Sequence, residues 1–217
     1  MSAPRKALLL DFGGVISVTL FEQHRRTEKI LGLAEGALTW RGPFDPTGDT
    51  LWMEMLEGRI SEREYWARRA AEVGRMLGED WTMPMMTRYT AGDDPNSNIR
   101  KEAMATVDRA KRAGHKVGIL SNELELFHGR AEMDALEILR MVDSLVDATH
   151  THILKPDPRA YALGCEALEM SPEQIVFLDD QMRNIEGANR FGLDAVWFDV
   201  RRPAESFAEA ERRLGLI

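Results

Sequence analysis

An α/β fold with a parallel sheet and an inserted helical segment is what this sequence predicts, and three observations predict it. Short apolar runs alternate with amphipathic helical patterns over most of the chain, as strand–helix–strand units joined by crossovers require. The first run, Ala7 to Leu10, shows no polar alternation, which suits a strand buried on both faces. From about Val15 to Tyr89 the strand signals stop and helical spacing takes over.

The strand Ala7–Leu10 ends abruptly in Asp11, with Gly13 and Gly14 close behind. A charge at the end of a buried strand is unfavourable unless something pairs with it. Glycines beyond it let the backbone turn tightly and present N–H groups to an anion. A carboxylate beside such a loop can attack a phosphorus centre while the amides hold the phosphate oxygens. The same residues also suit a strand ending in an Asx-type turn, with Asp11 satisfied by its own backbone.

The inserted segment comes next. Phe21 to Leu31 has helical spacing and stops at Gly32, and Asp49 to Leu56 stops before Gly58. Ser61-Glu62-Arg63-Glu64 reads as a capping box that opens a helix over Glu62 to Leu77, closed by Gly78. Trp81 to Thr90 is a fourth candidate helix. Trp40, Trp52, Trp66, Trp81 and several methionines are expected to form the core of a small bundle, with a substrate-pocket lining as the functional alternative.

The turn-rich stretch Ala91 to Asn96 is expected to return the chain to the sheet. Asn98 to Ala113 is an amphipathic helix closed by Gly114, and Lys116 to Leu120 is a second strand that ends in Ser121-Asn122. A helix over Ala131 to Arg140, a strand over Ser144 to Ala148 and a loop over Thr149 to Leu154 lead to Lys155-Pro156-Asp157-Pro158. Arg159 to Leu168 is helical, Ile175 to Leu178 is a strand ending in Asp179-Asp180, and a helix over Asn184 to Phe191 closes at Gly192. Ala195 to Phe198 is the last strand and Pro203 to Leu214 the last helix. Right-handed crossovers place all strand C-termini at one edge, where open sheets of this kind bind ligands. Asp11, Ser121, Asp179, Asp180 and the neighbouring Lys155 all arrive there, which no structural need of a sheet explains.

With 217 residues, 44% of them apolar, the chain suits one large domain or a core with a smaller insertion. A net charge of −8 gives no general basic face for nucleic acid or an anionic membrane. No stretch approaches the roughly 18 apolar residues of a membrane span, and the first strand begins too early for a signal peptide. Cys165 is the one cysteine and sits in a helical setting, so it is read as a small buried hydrophobe. A cytoplasmic protein is the expectation.

In order along the chain, four motifs resemble those of the haloacid dehalogenase-like hydrolases. Leu8-Leu9-Leu10-Asp11-Phe12-Gly13-Gly14-Val15 matches the first, Ile119-Leu120-Ser121-Asn122 the second, Lys155-Pro156 the third, and Phe177-Leu178-Asp179-Asp180 with Asn184 the fourth. The resemblance implies a Rossmann-like parallel sheet with helices on both faces, formed by residues 1–15 and 92–217, and a helical cap over residues 16–91. The run Asn184 to Asn189 after the acidic pair is similar to that of bacterial sugar-phosphate phosphatases resembling α-D-glucose-1-phosphate phosphatase.

What the resemblance implies for the site is specific. Asp11 is the nucleophile and forms an aspartyl phosphate that water hydrolyses. Magnesium is the cofactor, held by an Asp11 oxygen, the Gly13 carbonyl and Asp180, with Asp179 and Asn184 acting around it. Ser121, with Asn122 beside it, and the backbone N–H groups near Phe12 and Gly13 bind phosphate, and Lys155 neutralises charge between phosphate and carboxylates. The substrate is a small phosphorylated metabolite, a sugar phosphate being one candidate. Arg41, in a cap loop, is a candidate substrate contact.

One departure matters. Most phosphatases of this family carry a second aspartate where this chain has Gly13, and that side chain is the general acid. A positioned general acid is worth roughly 10²–10⁴-fold. Restoring the carboxyl is expected to strain the backbone if Gly13 sits at positive φ. Three readings follow: a magnesium-dependent phosphatase, a 2-haloacid dehalogenase-type hydrolase using Asp11 on carbon, and a catalytically weak protein that binds a phosphorylated ligand. The Asp179-Asp180 pair favours the first. His150 and His152, which alternate as metal ligands can, are read as solvated or locally bonded, and Arg201-Arg202 as a solvated turn.

Overall fold

A computed structural model describes residues 6–85 and 94–217. Five parallel strands build the sheet: β1 (Ala7–Leu10), β2 (Lys116–Ser121), β3 (Ser144–Asp147), β4 (Ile175–Asp179) and β5 (Asp194–Trp197). Their order is β3-β2-β1-β4-β5, so the first strand lies at the centre. It pairs on both edges, Ala7 to Leu10 against Lys116 to Ile119 and against Ile175 to Leu178. That explains the unbroken apolar run, because side chains on both faces of a central strand are buried. Leu8 and Leu10 pack on one face with Val107, Ile119, Leu178 and Phe207, while Ala7 and Leu9 pack on the other with Tyr161, Leu168, Phe177 and Ile185.

The inserted segment has its own core, in which Phe21, Trp40, Trp52, Tyr65, Val73 and Trp81 meet. Its helices are α1 (His24–Leu31), α2 (Thr50–Leu56) and α3 (Glu62–Leu77). Gly32 and Gly78 close α1 and α3 in the left-handed conformation, as the sequence predicts. A separate turn, Leu20–Gln23, precedes α1, so the expected helix from Phe21 is two pieces. At the start of α3 only half of the expected capping box is observed. The Ser61 hydroxyl accepts from the Glu64 N–H at 3.1 Å, but the Glu64 carboxylate pairs with Arg68. The fourth candidate helix begins with a turn at Met83, and residues 86–90 lie outside the described residues.

Two extended segments join the layers. Ser17 and Ile99 form an antiparallel bridge, with Val18 N–H donating to the Asn98 carbonyl and Arg100 N–H to the Ile16 carbonyl, both at 2.8 Å. Val15 and Ile16 are buried in the sheet's own core. The neck therefore lies at Ser17 and Ile99, whereas the sequence places the return near Ala91–Asn96, of which 91–93 fall outside the described residues. Because Asn98 to Arg100 are used in the neck, the next helix, α4 (Lys101–Arg112), starts later than the pattern suggested.

Beyond β2 the expected single helix over Ala131–Arg140 is broken. An unexpected helix, α5 (Leu124–His128), comes first, and α6 (Arg130–Ala135) and α7 (Glu137–Met141) replace the expected one. Gly129 sits at φ 74°, and Leu136 turns extended to bury its side chain in the core. The expected loop after β3 begins with a turn, α8 (Ala148–Thr151), capped by Asp147. The fold finishes with α9 (Pro158–Leu168), α10 (Met182–Phe191) and α11 (Pro203–Leu214), close to the expected ranges. β5 begins at Asp194, one residue before the expected start.

Candidate active site

The chain builds β1, β2 and β3 outward on one side, then crosses to place β4 and β5 on the other. The switch point, where such sheets bind ligands, is thus the C-terminal junction of β1 and β4. Asp11 lies there, its N–H donating to the Leu178 carbonyl at 2.9 Å as the last rung between the two strands. Asp179 ends β4 and Asp180 follows it.

Lys155 enters between these acids with its side chain 1% exposed. Its Nζ lies 2.7 Å from Asp11 Oδ1 and 2.7 Å from Asp179 Oδ2. Asp179 is fully enclosed and its remaining bonds go to the protein: Asn184 Nδ2 donates to Oδ1 at 3.0 Å, and the Gln181 N–H donates to Oδ1 at 2.9 Å. Asn184 is itself anchored through its carbonyl, which accepts from the Tyr161 hydroxyl at 2.7 Å. Asp179 and Asn184 thus hold Lys155 in place. Asn122 does the same from the other side, its Oδ1 accepting from the Lys155 N–H at 2.7 Å and its Nδ2 donating to the Lys155 carbonyl at 3.3 Å. The Asn122 side chain thus positions the Lys155 backbone, and the residue also lines the cavity. Gly187 lets α10 approach this loop, since a Cβ there would stand 2.8 Å from Pro156 Cβ and from the Tyr161 hydroxyl.

The two glycines after Asp11 differ. Gly14 has φ 78°, and a Cβ there would lie 2.6 Å from Asp180 Oδ2, so glycine is required twice over. Gly13 has φ −66° and ψ 124°, and a Cβ there would meet nothing within 4 Å. The strain expected for a side chain at Gly13 is therefore absent. The loop is braced by Arg100, whose Nε donates to the Gly14 carbonyl at 3.1 Å while its two terminal nitrogens grip Glu22 at 2.9 and 2.6 Å.

Oxygens of Asp11, Asp179 and Asp180 lie within 4.8 Å of one another. One lysine does not balance three carboxylates. Burial, together with the charges of Asp179 and Glu62, pushes the Asp11 carboxyl up to about 7 although Lys155 opposes the shift. Asp180 is raised well above its ordinary value by burial and by the neighbouring Asp179 and Asp11. Lys155 is held protonated: burial opposes its charge, but Asp11 and Asp179 outweigh that and raise its pKa. Such a donor set, carboxylate oxygens with excess negative charge, fits a hard divalent cation.

A cavity of about 560 Å³ opens above this floor, between the sheet edge and the cap. Asp11, Phe12, Gly13, Ser121, Asn122, Lys155, Asp180 and Asn184 all line it. Arg41 does not; it is exposed and off the cavity wall, so the expected substrate contact is corrected. Among the described residues, the cap arginine that does line the cavity is Arg63, at the start of α3, whose Nε donates to Glu123 at 2.7 Å. Beside it Glu62 pairs with Arg183 of α10 at 3.2 Å. These four residues escaped the sequence reading because Glu62 and Arg63 read as helix-start residues. Glu123 and Arg183 carried a signal, lying two residues after Ser121 and one before Asn184. Trp197 was also missed; its indole donates to the Asp180 carbonyl at 2.9 Å. His150 pairs with Glu125 at 2.9 Å, in line with the locally bonded reading, whereas His152 reaches the cavity wall.

A model of the haloacid dehalogenase-like hydrolase family matches residues 6–192, which contain all four motifs. The chain belongs to the haloacid dehalogenase-like hydrolases. Its relatives within this family divide in activity. It is 34% identical over 95 residues to (S)-2-haloacid dehalogenase 4A of Burkholderia cepacia, covering 44% of this chain and 41% of that one. It is 34% identical over 98 residues to the phosphatase MT3486 of Mycobacterium tuberculosis, covering 45% of each. The matched part spans about half the length of these relatives. A solved HAD phosphatase from Thermococcus onnurineus shares the fold with a TM-score of 0.56 at 20% identity, over 89% of this chain and 86% of that one. Among the described residues no helix is long and apolar enough to cross a membrane.

Proposed function

We propose that this hydrolase is a magnesium-dependent phosphatase acting on a small phosphorylated metabolite. The observation that carries the reading is Asp180. Displacement at carbon needs Asp11 and a cation beside it, which Lys155 already supplies. A third carboxylate within 4.8 Å of both Asp11 and Asp179 adds repulsion that a proton or a cation must relieve, and of the two only a cation leaves Asp11 ionised for attack. Asp11, Asp180 and the Gly13 carbonyl would hold that ion, with Asp179 and Asn184 acting through other groups. When bound, magnesium neutralises the charge between the phosphate and the carboxylates, and so lets Asp11 work ionised at neutral pH.

The chain's own residues supply the rest. Asp11, at the switch point, attacks phosphorus in line and forms an aspartyl phosphate. Lys155, locked by Asp179 and Asn122, neutralises charge on the transferring group. Ser121, buried at the end of β2, and the N–H groups of the loop after Asp11 hold phosphate oxygens. Water then releases phosphate and restores Asp11. With glycine at position 13 the leaving oxygen departs with little help from a protonated side chain.

Phosphate release from 4-nitrophenyl phosphate, measured with magnesium and after exhaustive chelation, tests this. Turnover that requires magnesium is the expected result. The dehalogenase relatives make halide release from 2-chloropropionate without metal the competing outcome. Release of neither phosphate nor halide would leave the phospho-ligand-binding reading.

A further inference from the structure

The cavity has two unlike ends. Its floor carries the charges, but its cap side is walled by Leu20, Phe21, Trp52, Trp66, Met83 and, from α5, Phe127. Among the described residues, Thr19, Ser61, Glu62 and Arg63 are polar cap groups on the cavity wall that are already engaged. The Thr19 hydroxyl donates to Glu22 at 2.9 Å, the Ser61 hydroxyl caps α3, and Glu62 and Arg63 pair with Arg183 and Glu123. Gln23 differs: it lines the cavity, is 7% exposed, and its amide oxygen is buried without a hydrogen-bond partner.

A sugar bound here would press several hydroxyls against aromatic faces and lose their bonds to water, a loss that the described residues of this wall do not repair. A ring or similar apolar group would instead bury its surface there and stack on the indoles. We infer, on the strength of the phosphatase reading above, that the substrate is the phosphate monoester of an alcohol bearing an aromatic or comparably apolar group.

The test compares 2-phenylethyl phosphate with glucose 6-phosphate at saturating magnesium, reading phosphate release as kcat/KM. Both esters leave as primary alkoxides, so the missing acid at Gly13 weighs on them alike. A preference of at least about tenfold for the phenyl ester is expected, the worth of burying one ring. Equal rates, or a preference for glucose 6-phosphate, would overturn the inference while leaving the phosphatase reading intact. No phosphate from either ester or from 4-nitrophenyl phosphate would overturn both. Trp66→Ala should raise KM for the phenyl ester about fivefold or more, and Trp66→Phe should restore most of it. An unchanged KM in a Trp66→Ala protein that melts like the wild type would count against an aromatic subsite.

Discussion

Core and cap each bury a charged network, and the two differ in one respect. In the cap, Asp49 accepts from four donors: the N–H groups of Gly42 and Trp52, the Tyr65 hydroxyl at 2.9 Å and Arg69 at 2.5 Å. Charge there is balanced, Arg69 pairing with Asp49 and Glu72, although Arg69 Nε is buried without a hydrogen-bond partner; the bonds tie the loop after α1 to α2 and α3. In the core, Asp11, Asp179 and Asp180 share one lysine, and Asp11 keeps an oxygen toward the cavity. Burial of charge is thus common to both layers. What marks the active site is the imbalance: too many carboxylates for the cations present, facing a space that a ligand can enter.

That contrast yields tests, beginning with the largest effect. Asp11→Asn should lower turnover of 4-nitrophenyl phosphate by more than about 10⁴-fold, the scale of losing a nucleophile. Its melting temperature at pH 7.5 without metal should not fall, because a repelling charge has been removed. Activity well above background would end the assignment of Asp11.

Asp49→Ala should behave in the opposite way. Arg69 keeps Glu72, but the N–H groups of Gly42 and Trp52, the Tyr65 hydroxyl and one Arg69 nitrogen lose their shared acceptor, and removing one partner of a buried pair typically costs about 3–5 kcal/mol. A fall in melting temperature of roughly 10 °C is expected for a chain of this size. Loss of turnover with an unchanged melt would show that the cap network also serves chemistry and would dissolve the contrast.

Gly13→Asp should sharpen it from the core side, since the backbone at φ −66° accepts a side chain and the space is open. In the wild type, rates over a series of phosphate monoesters should depend steeply on leaving-group basicity. The variant should help alkyl phosphates most, by about 10²-fold, the lower end of a general acid's worth. A shallow dependence in the wild type would mean that another group already delivers the proton.

The smallest effect concerns pH. Asp11 moves from an ordinary 3.8 to about 7 in the folded protein. Between these values the folded state keeps a proton that the unfolded chain has released, so this site's contribution to stability falls as pH rises. A cation that displaces the proton should reverse the trend. Magnesium at about a hundred times its Kd should raise the melting temperature by roughly 5–10 °C at pH 7.5. The rise should be clearly smaller at pH 5, where Asp11 holds its proton. Equal shifts at both pH values would separate the metal from these carboxylates.

Much of the core was legible because its determinants are local. An apolar run that stops at a carboxylate, a glycine pair, and polar residues closing each later strand are contiguous in the chain, and parallel crossovers oblige them to meet. The break at Leu136 was less legible, since the expected helix over Ala131 to Arg140 runs across it and only burial of Leu136 decides the matter. Arg41 illustrates the converse. A loop arginine in a cap invites a substrate role, yet whether it faces the cavity depends on how the cap sits on the sheet.

By itself, then, the sequence determined the α/β class, the strand ends that carry Asp11, Ser121, Asp179 and Asp180, and the lysine that joins them. Tertiary structure decided the rest. It distinguished Gly13 from Gly14, because a positive φ and a 2.6 Å approach to Asp180 are properties of the packed loop and not of the residue type. It turned Asn122 toward Lys155, brought Glu62 and Arg63 to Arg183 and Glu123, and gave the cavity an aromatic wall. Each of these joins residues far apart in the chain through the relative placement of cap and core. Periodicity reports which face of an element is apolar; it is silent on what that face meets.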